Sequence, residues 1–179
     1  RQMCIRDRLK ALRENREIMN MSDIDASMER LLVGSQSTKN KYSFDAMKRI
    51  AIHELGHAIV GLVLDEHPNP LSISLNEWSH KAPGYTLFDS NEEDYNIITR
   101  EYLIQHVSVL LAGRVAESVF FNNSITTGAL KDLQDAYQIV ENMVLKFGMG
   151  SQTIRTSISE MSKKDLDDDI QFILRQAEK

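Results

Sequence analysis

Residues 43 to 64 carry one unbroken helical pattern, and no other stretch restricts the fold as much. Ser43 can cap it by accepting a first-turn amide, and Asp45 sits where an acid meets the positive end of the helix dipole. Phe44, Met47, Ile50, Ala51, Ala58 and Leu62 follow one apolar face. From Ala58 to Leu64 the segment is apolar all round, the pattern of a buried helix. His67-Pro68-Asn69-Pro70 ends it, because proline donates no amide and clashes with the preceding turn. Such a helix needs other elements packed around it. A chain of 179 residues is long enough for one real hydrophobic core and a small second unit.

The remaining elements follow from pattern in the same way. Leu71, Ile73 and Leu75 alternate with Ser72 and Ser74, which predicts a half-buried strand. A loop through Pro83-Gly84 leads to a second short strand near Tyr85 to Phe88. After the acidic turn Asn91 to Asp94, Thr99 can cap a long helix whose buried face is Leu103, Val107, Leu110, Leu111, Val115 and Val119. Another helix is expected from Ala129 to Phe147, with Leu133, Ala136, Val140 and Val144 in register and Gly148 as its stop. A last helix opens at Ser162, with Asp165 three on, and meets no stop signal before Lys179, so the chain reads as cut there. Upstream, Arg1 to Asn20 is charged, with Leu9, Leu12 and Ile18 at loose helical spacing. Ser22 to Asp25 reads as a capping box for a helix carrying Met28, Leu31 and Leu32 and stopping at Gly34. Gly34 to Tyr42 is the best linker. The expected fold is mainly α with one small β-hairpin.

Composition narrows the function classes. The apolar share of 42% and charged share of 26% are those of a soluble globular protein. Net charge is -5 and the basic residues are spread, so there is no basic stripe to meet nucleic acid. The one cysteine, Cys4, excludes an intramolecular disulfide and fits a reducing compartment. The longest apolar run falls far short of the roughly 20 residues that cross a bilayer, and no signal-peptide pattern opens the chain.

His53-Glu54-Leu55-Gly56-His57 lies on the first helix described. Residues four apart share a helical face, so both imidazoles can reach one metal ion. Glu54 falls beside them and can address a metal-bound water without being a ligand. Zinc brings such a water's pKa to about 7, and the glutamate can take its proton, then hand it to a leaving amine. The bland alternative, two histidines and an acid decorating a helix, conflicts with a helix that runs straight into a buried stretch, where an uncompensated glutamate is costly. Catalytic zinc usually keeps three protein ligands and one open position. His67, His80, His106, Glu117 and Asp132 are the candidates for the third. Glu117 could equally form an intrahelical ion pair with Arg114, and Asp132 could simply favour its helix dipole. Local chemistry leaves these alternatives open.

Five segments in order resemble the peptidase domain of the FtsH family of ATP-dependent zinc proteases. They are His53 to Ala58, Pro83-Gly84-Tyr85-Thr86-Leu87, Leu110 to Glu117, Thr127-Gly128-Ala129-Leu130-Lys131-Asp132-Leu133, and Met143-Val144 with Phe147-Gly148-Met149. The resemblance covers about Asp23 to the C-terminus. It implies Asp132 as the third zinc ligand beside His53 and His57, Glu54 as the catalytic base, and Glu117 as a supporting residue. It also implies a helical peptidase domain over residues 35–179, truncated at its C-terminus and preceded in 1–34 by the end of an ATPase lid and an uncertain leader, Arg1 to Arg8. The segment Asn76 to Ala82, with Trp78, departs from the family.

The function so implied is an endopeptidase acting on unfolded or membrane-extracted polypeptide, with Zn2+ as cofactor. In the family it works as a homo-hexamer coupled to an ATPase module. No glycine-rich phosphate loop is present here, so ATP hydrolysis would belong to that missing module. Membrane anchoring would come from absent N-terminal segments, with the peptidase facing the cytoplasm, mitochondrial matrix or chloroplast stroma. An extended substrate would lie near the hairpin strand before Gly84. Two other readings remain: an inactive assembly or scaffold domain of the same ring, and another H-E-x-x-H hydrolase such as a deformylase, whose third ligand is a cysteine.

Overall fold

Ser43 opens the first long element among the described residues as its sequence predicts: its Oγ accepts the Ala46 amide at 3.2 Å, and helix α1 runs Phe44–Val63. The computed structural model describes residues 12, 15–18, 20, 21, 23, 42–76, 83–89, 97–151 and 163–179. The capping box other than Asp23, the helix expected through Met28, Leu31 and Leu32, most of the linker, the segment 77–82 and Ser162 lie outside the described residues. The chain divides into two compact units, residues 1–47 with 75–83 and residues 48–74 with 84–179.

In the first unit the buried Asp23 accepts two hydrogen bonds from Arg16, at 2.7 and 2.9 Å, and the Asn20 amide at 3.0 Å. A buried carboxylate is tolerable when its lone pairs are taken by a paired cation and amides in this way.

The second unit is built on helix α2, Arg100–Phe120. Thr99 caps it, accepting the Tyr102 amide at 3.0 Å. A 3-10 turn, Thr127–Ala129, feeds helix α3, Leu130–Leu145, and helix α4 spans Lys163–Ala177. These three helices pack on one another around Leu103, Ile104, Val107 and Leu111 of α2, Ala136, Val140, Met143 and Val144 of α3, and Ile170, Ile173 and Ala177 of α4. By length and composition alone α2 could cross a membrane. Here it is a core helix, with Val107 fully buried and a carboxylate, Glu117, buried near its end. α3 stops two residues before the expected Phe147; the Met149 amide returns to the Met143 carbonyl and Gly148 adopts a φ of 63°. That left-handed turn suits glycine, so Gly148 acts as the stop its sequence position suggests.

Strands β1, Pro70–Leu75, and β2, Gly84–Phe88, form a two-stranded antiparallel sheet. Its ends are closed by Asn76 N–H to Pro83 O at 2.7 Å and Asp89 N–H to Asn69 O at 2.9 Å. Alternation along β2 turns Gly84, Thr86 and Phe88 to α1. A Cβ on Gly84 would fall 2.6 Å from Ile50 Cγ2, and one on Gly61 would fall 2.5 Å from the Phe88 ring, so glycine on each side permits the close approach.

Three sequence expectations are corrected. Leu71, Ile73 and Leu75 are exposed, and Ser74 is half-buried, because β2 supplies the side chains that meet α1. Val119 is exposed, beyond the part of α2 that the other helices cover. The apolar run after the motif is not buried all round: Ala58 and Gly61 are buried, whereas Ile59, Leu62 and Val63 are exposed. The side of α1 that faces α2 is the motif side. There Gly56 lies so close that a Cβ would sit 2.6 Å from Ala112 O and 2.7 Å from Ala116 Cβ.

Candidate metal centre

That contact buries His53, Glu54 and His57 together, each 8% exposed. The helical spacing of four puts both imidazoles on one side of α1, with ring centroids 4.7 Å apart. Asp132 comes from the first turn of α3 and reaches the same point. Its Oδ2 lies 3.0 Å from His53 Nε2 and 3.6 Å from His57 Nε2. One donor atom from each of His53, His57 and Asp132 falls within 4.8 Å of the others.

Glu117 sits beneath this group, only 2% exposed. Its Oε1 accepts His53 Nδ1–H at 2.9 Å and its Oε2 accepts the Thr126 amide, also at 2.9 Å. The ion pair with Arg114 that local spacing allowed is not formed, since both carboxylate oxygens are committed inward. Thr126 Oγ1 in turn accepts the Gly128 amide at 3.2 Å. Glu117 thus fixes a histidine ring and the turn that delivers Asp132. His57 Nδ1–H donates to the Val109 carbonyl at 2.6 Å. An imidazole whose Nδ1 is held by an acceptor presents Nε2 outward as a ligand, the usual supporting arrangement behind metal-binding histidines.

The donor set tests itself. With both Nδ1 hydrogens donated elsewhere, neutral rings aim two Nε2 lone pairs at a carboxylate oxygen. That is repulsive unless a proton or a metal cation lies between them. The electrostatics agree. Burial pulls the His53 pKa down, but its hydrogen bonds to Asp132 and Glu117 and the charges of Asp132 and Glu54 outweigh this, and the net shift is upward. For Asp132, burial pushes upward, yet hydrogen bonds and charge from His53 and His57 prevail and bring it to about 2. Two imidazoles and one carboxylate are a donor set that zinc accepts, so the residues fit the ion.

Other walls complete the site. Gly113 of α2 faces it so closely that a Cβ would lie 2.5 Å from His53 Nε2 and 2.6 Å from His57 Nε2. Thr86 Oγ1 lies 2.9 Å from Glu54 Oε2. Neither residue stands out by chemistry in the sequence; both lie within the segments that carry the family resemblance. His67 and His106 are not at the centre. They bond each other, Nε2 to Nδ1 at 3.1 Å, and stack with near-parallel rings. His80 lies outside the described residues.

Residues 41–177 match the family model described as peptidase family M41. The chain is similar to proteins named ATP-dependent zinc metalloprotease FtsH. That of Clostridium perfringens is 34% identical over 159 residues, covering 89% of this chain and 22% of the relative. That of Mycoplasma genitalium is 32% identical over 182 residues, covering 94% and 26%. That of Thermotoga maritima is 35% identical over 144 residues, covering 80% and 23%. The chain therefore spans about a quarter of the length of these relatives.

Proposed function

This chain belongs to peptidase family M41, and from that premise we propose that it is the zinc-dependent endopeptidase portion of a larger ATP-driven protease. The cofactor is zinc, the metal in the relatives' names, and the His53, His57 and Asp132 group could hold it. The observation that carries the reading is the inward aim of both Nε2 atoms at Asp132, fixed by Glu117 and the Val109 carbonyl. When bound, zinc supplies Lewis acidity, polarising a scissile carbonyl and acidifying a water molecule.

The chain's own residues supply the proton chemistry. Glu54 is next to His53, buried, and hydrogen-bonded through its carboxylate to Thr86 of β2. It accepts a proton from the attacking water and delivers it to the nitrogen of the departing amine. Glu117 keeps the His53 ring from turning as charge develops nearby. The exposed apolar side chains of β1, Leu71 and Ile73, suit an extended polypeptide laid along the strand, with backbone pairing giving broad tolerance of sequence. Unfolded or membrane-extracted polypeptides are the substrates, and a hexameric ring with an ATPase module, anchored to a membrane, delivers them.

Cleavage of casein by the intact protein, wild type against Glu54→Gln, tests this. The expected result is loss of cleavage with zinc retained. Glu54→Gln that cleaves like wild type would remove Glu54 from the mechanism, and a folded protein without zinc would remove the metal.

A further inference from the structure

Glu54 is held by β2 at two points. A Cβ on Gly84 would lie 2.9 Å from Glu54 Cγ and 3.1 Å from Oε1, so the strand backbone closes one side of the side chain. Two residues on, and on the same face of the strand, Thr86 Oγ1 lies 2.9 Å from Glu54 Oε2 and 3.1 Å from the Glu54 carbonyl oxygen. The hydroxyl has a single hydrogen and two acceptors that belong to the same residue.

We propose that Thr86 is a positioning residue for the reaction, aiming the Glu54 carboxylate by donating to Oε2 and leaving Oε1 as the oxygen that takes the proton. The inference rests on Glu54 being the base. Three features support the assignment. Threonine is β-branched and sits in a strand, so its χ1 is restricted and its hydroxyl is a fixed point rather than a swinging one. A hydrogen bond to an ionised carboxylate is stronger than one to a neutral group, so the donor prefers Oε2 while Glu54 is charged. The second acceptor, the Glu54 carbonyl oxygen 3.1 Å away, belongs to the same residue, so the hydroxyl stays beside the side chain it aims. The plainer role, tying β2 to α1 through one hydrogen bond, predicts no dependence on the carboxylate of Glu54.

Thr86→Val, close in shape and lacking only the hydroxyl, separates the two roles in the intact zinc-loaded protein. With a peptide substrate, kcat should fall about tenfold, the size expected for losing a charge-assisted hydrogen bond, while KM and zinc content stay put. Thr86→Ser should restore most of the loss. A readout independent of turnover is the affinity of a peptide hydroxamate, a zinc chelator whose proton Glu54 can hold. Thr86→Val should weaken it about fivefold with Glu54 present, and should have no effect in the Glu54→Gln background. Wild-type kcat in Thr86→Val, or an equal loss of hydroxamate affinity in both backgrounds, would overturn the proposal. If Glu54→Gln itself cleaves normally, the base assignment fails first. If Glu54→Gln is inactive and Thr86→Val fully active, only the role of Thr86 fails.

Discussion

Helix α1 and the α2–α3–α4 bundle bury opposite kinds of side chain. α3 turns Ala136, Val140, Met143 and Val144 inward, each almost fully buried. α1 buries His53, Glu54, Gly56, His57, Ala58 and Gly61, and leaves Ile59, Leu62 and Val63 in solvent. The bundle gains stability from apolar burial in the ordinary way. α1 is seated by glycines that let backbones approach and by hydrogen bonds to a polar site. The apolar core thus lies within the bundle, whereas the polar centre is assembled between α1 and the Glu117 and Asp132 turns of α2 and α3, and substitutions should divide accordingly.

The largest effect is expected in the bundle. Met143→Ala should cost about 2–5 kcal/mol of folding stability, the range for truncating a large buried side chain. Denaturant unfolding would show it, and a loss under 1 kcal/mol would break the comparison. At the centre, Glu117→Gln should weaken zinc binding about 10–100-fold with little change in fold. Both partners of Glu117, His53 Nδ1–H and the Thr126 amide, are donors, and a glutamine can satisfy only one of them. Competition with a chromogenic chelator reads that affinity.

Smaller changes sharpen the boundary. Thr99→Ala removes the cap of α2 and should lower stability by about 1 kcal/mol, read as a modest fall in Tm. The His67 and His106 pair adds a graded pH effect. Burial holds both pKa values below the ordinary 6.5, in His67 against the Pro68 carbonyl and in His106 with help from His67 and against Asp135. The unfolded chain then binds more protons than the folded one as pH drops through 6.5, so stability should decline below that pH and keep declining to the lowered folded values. His106→Gln should flatten this slope. The smallest effect is Ile59→Ser, which should change stability by no more than roughly 0.5 kcal/mol, since the side chain is already in solvent.

The elements themselves were legible where a local rule had no competitor. Ser43 and Thr99 cap their helices, Gly148 ends α3, and the alternation at 71–75 marks a strand, because each signal involves only neighbours in sequence. Which face is buried depends on partners far away in sequence, and local pattern does not specify it. The apolar run after His57 looked like core, yet Gly56 against Ala112 placed the motif side inward instead. Local spacing likewise allows Glu117 a pairing with Arg114, which the Thr126 amide and His53 displace, and its supporting place follows only from the resemblance. His53, Glu54 and His57 were readable as a unit because one helical turn brings them together. Asp132, 79 positions from His53, is one of several candidates by composition, and only the family resemblance singles it out.

Metal analysis of wild type against Asp132→Ala tests the central claim most directly. Wild type should hold about one zinc ion per chain, the stoichiometry of a single His-His-Asp site, and Asp132→Ala should lose it while remaining folded. An Asp132→Ala variant that keeps its zinc would contradict the assignment of the centre.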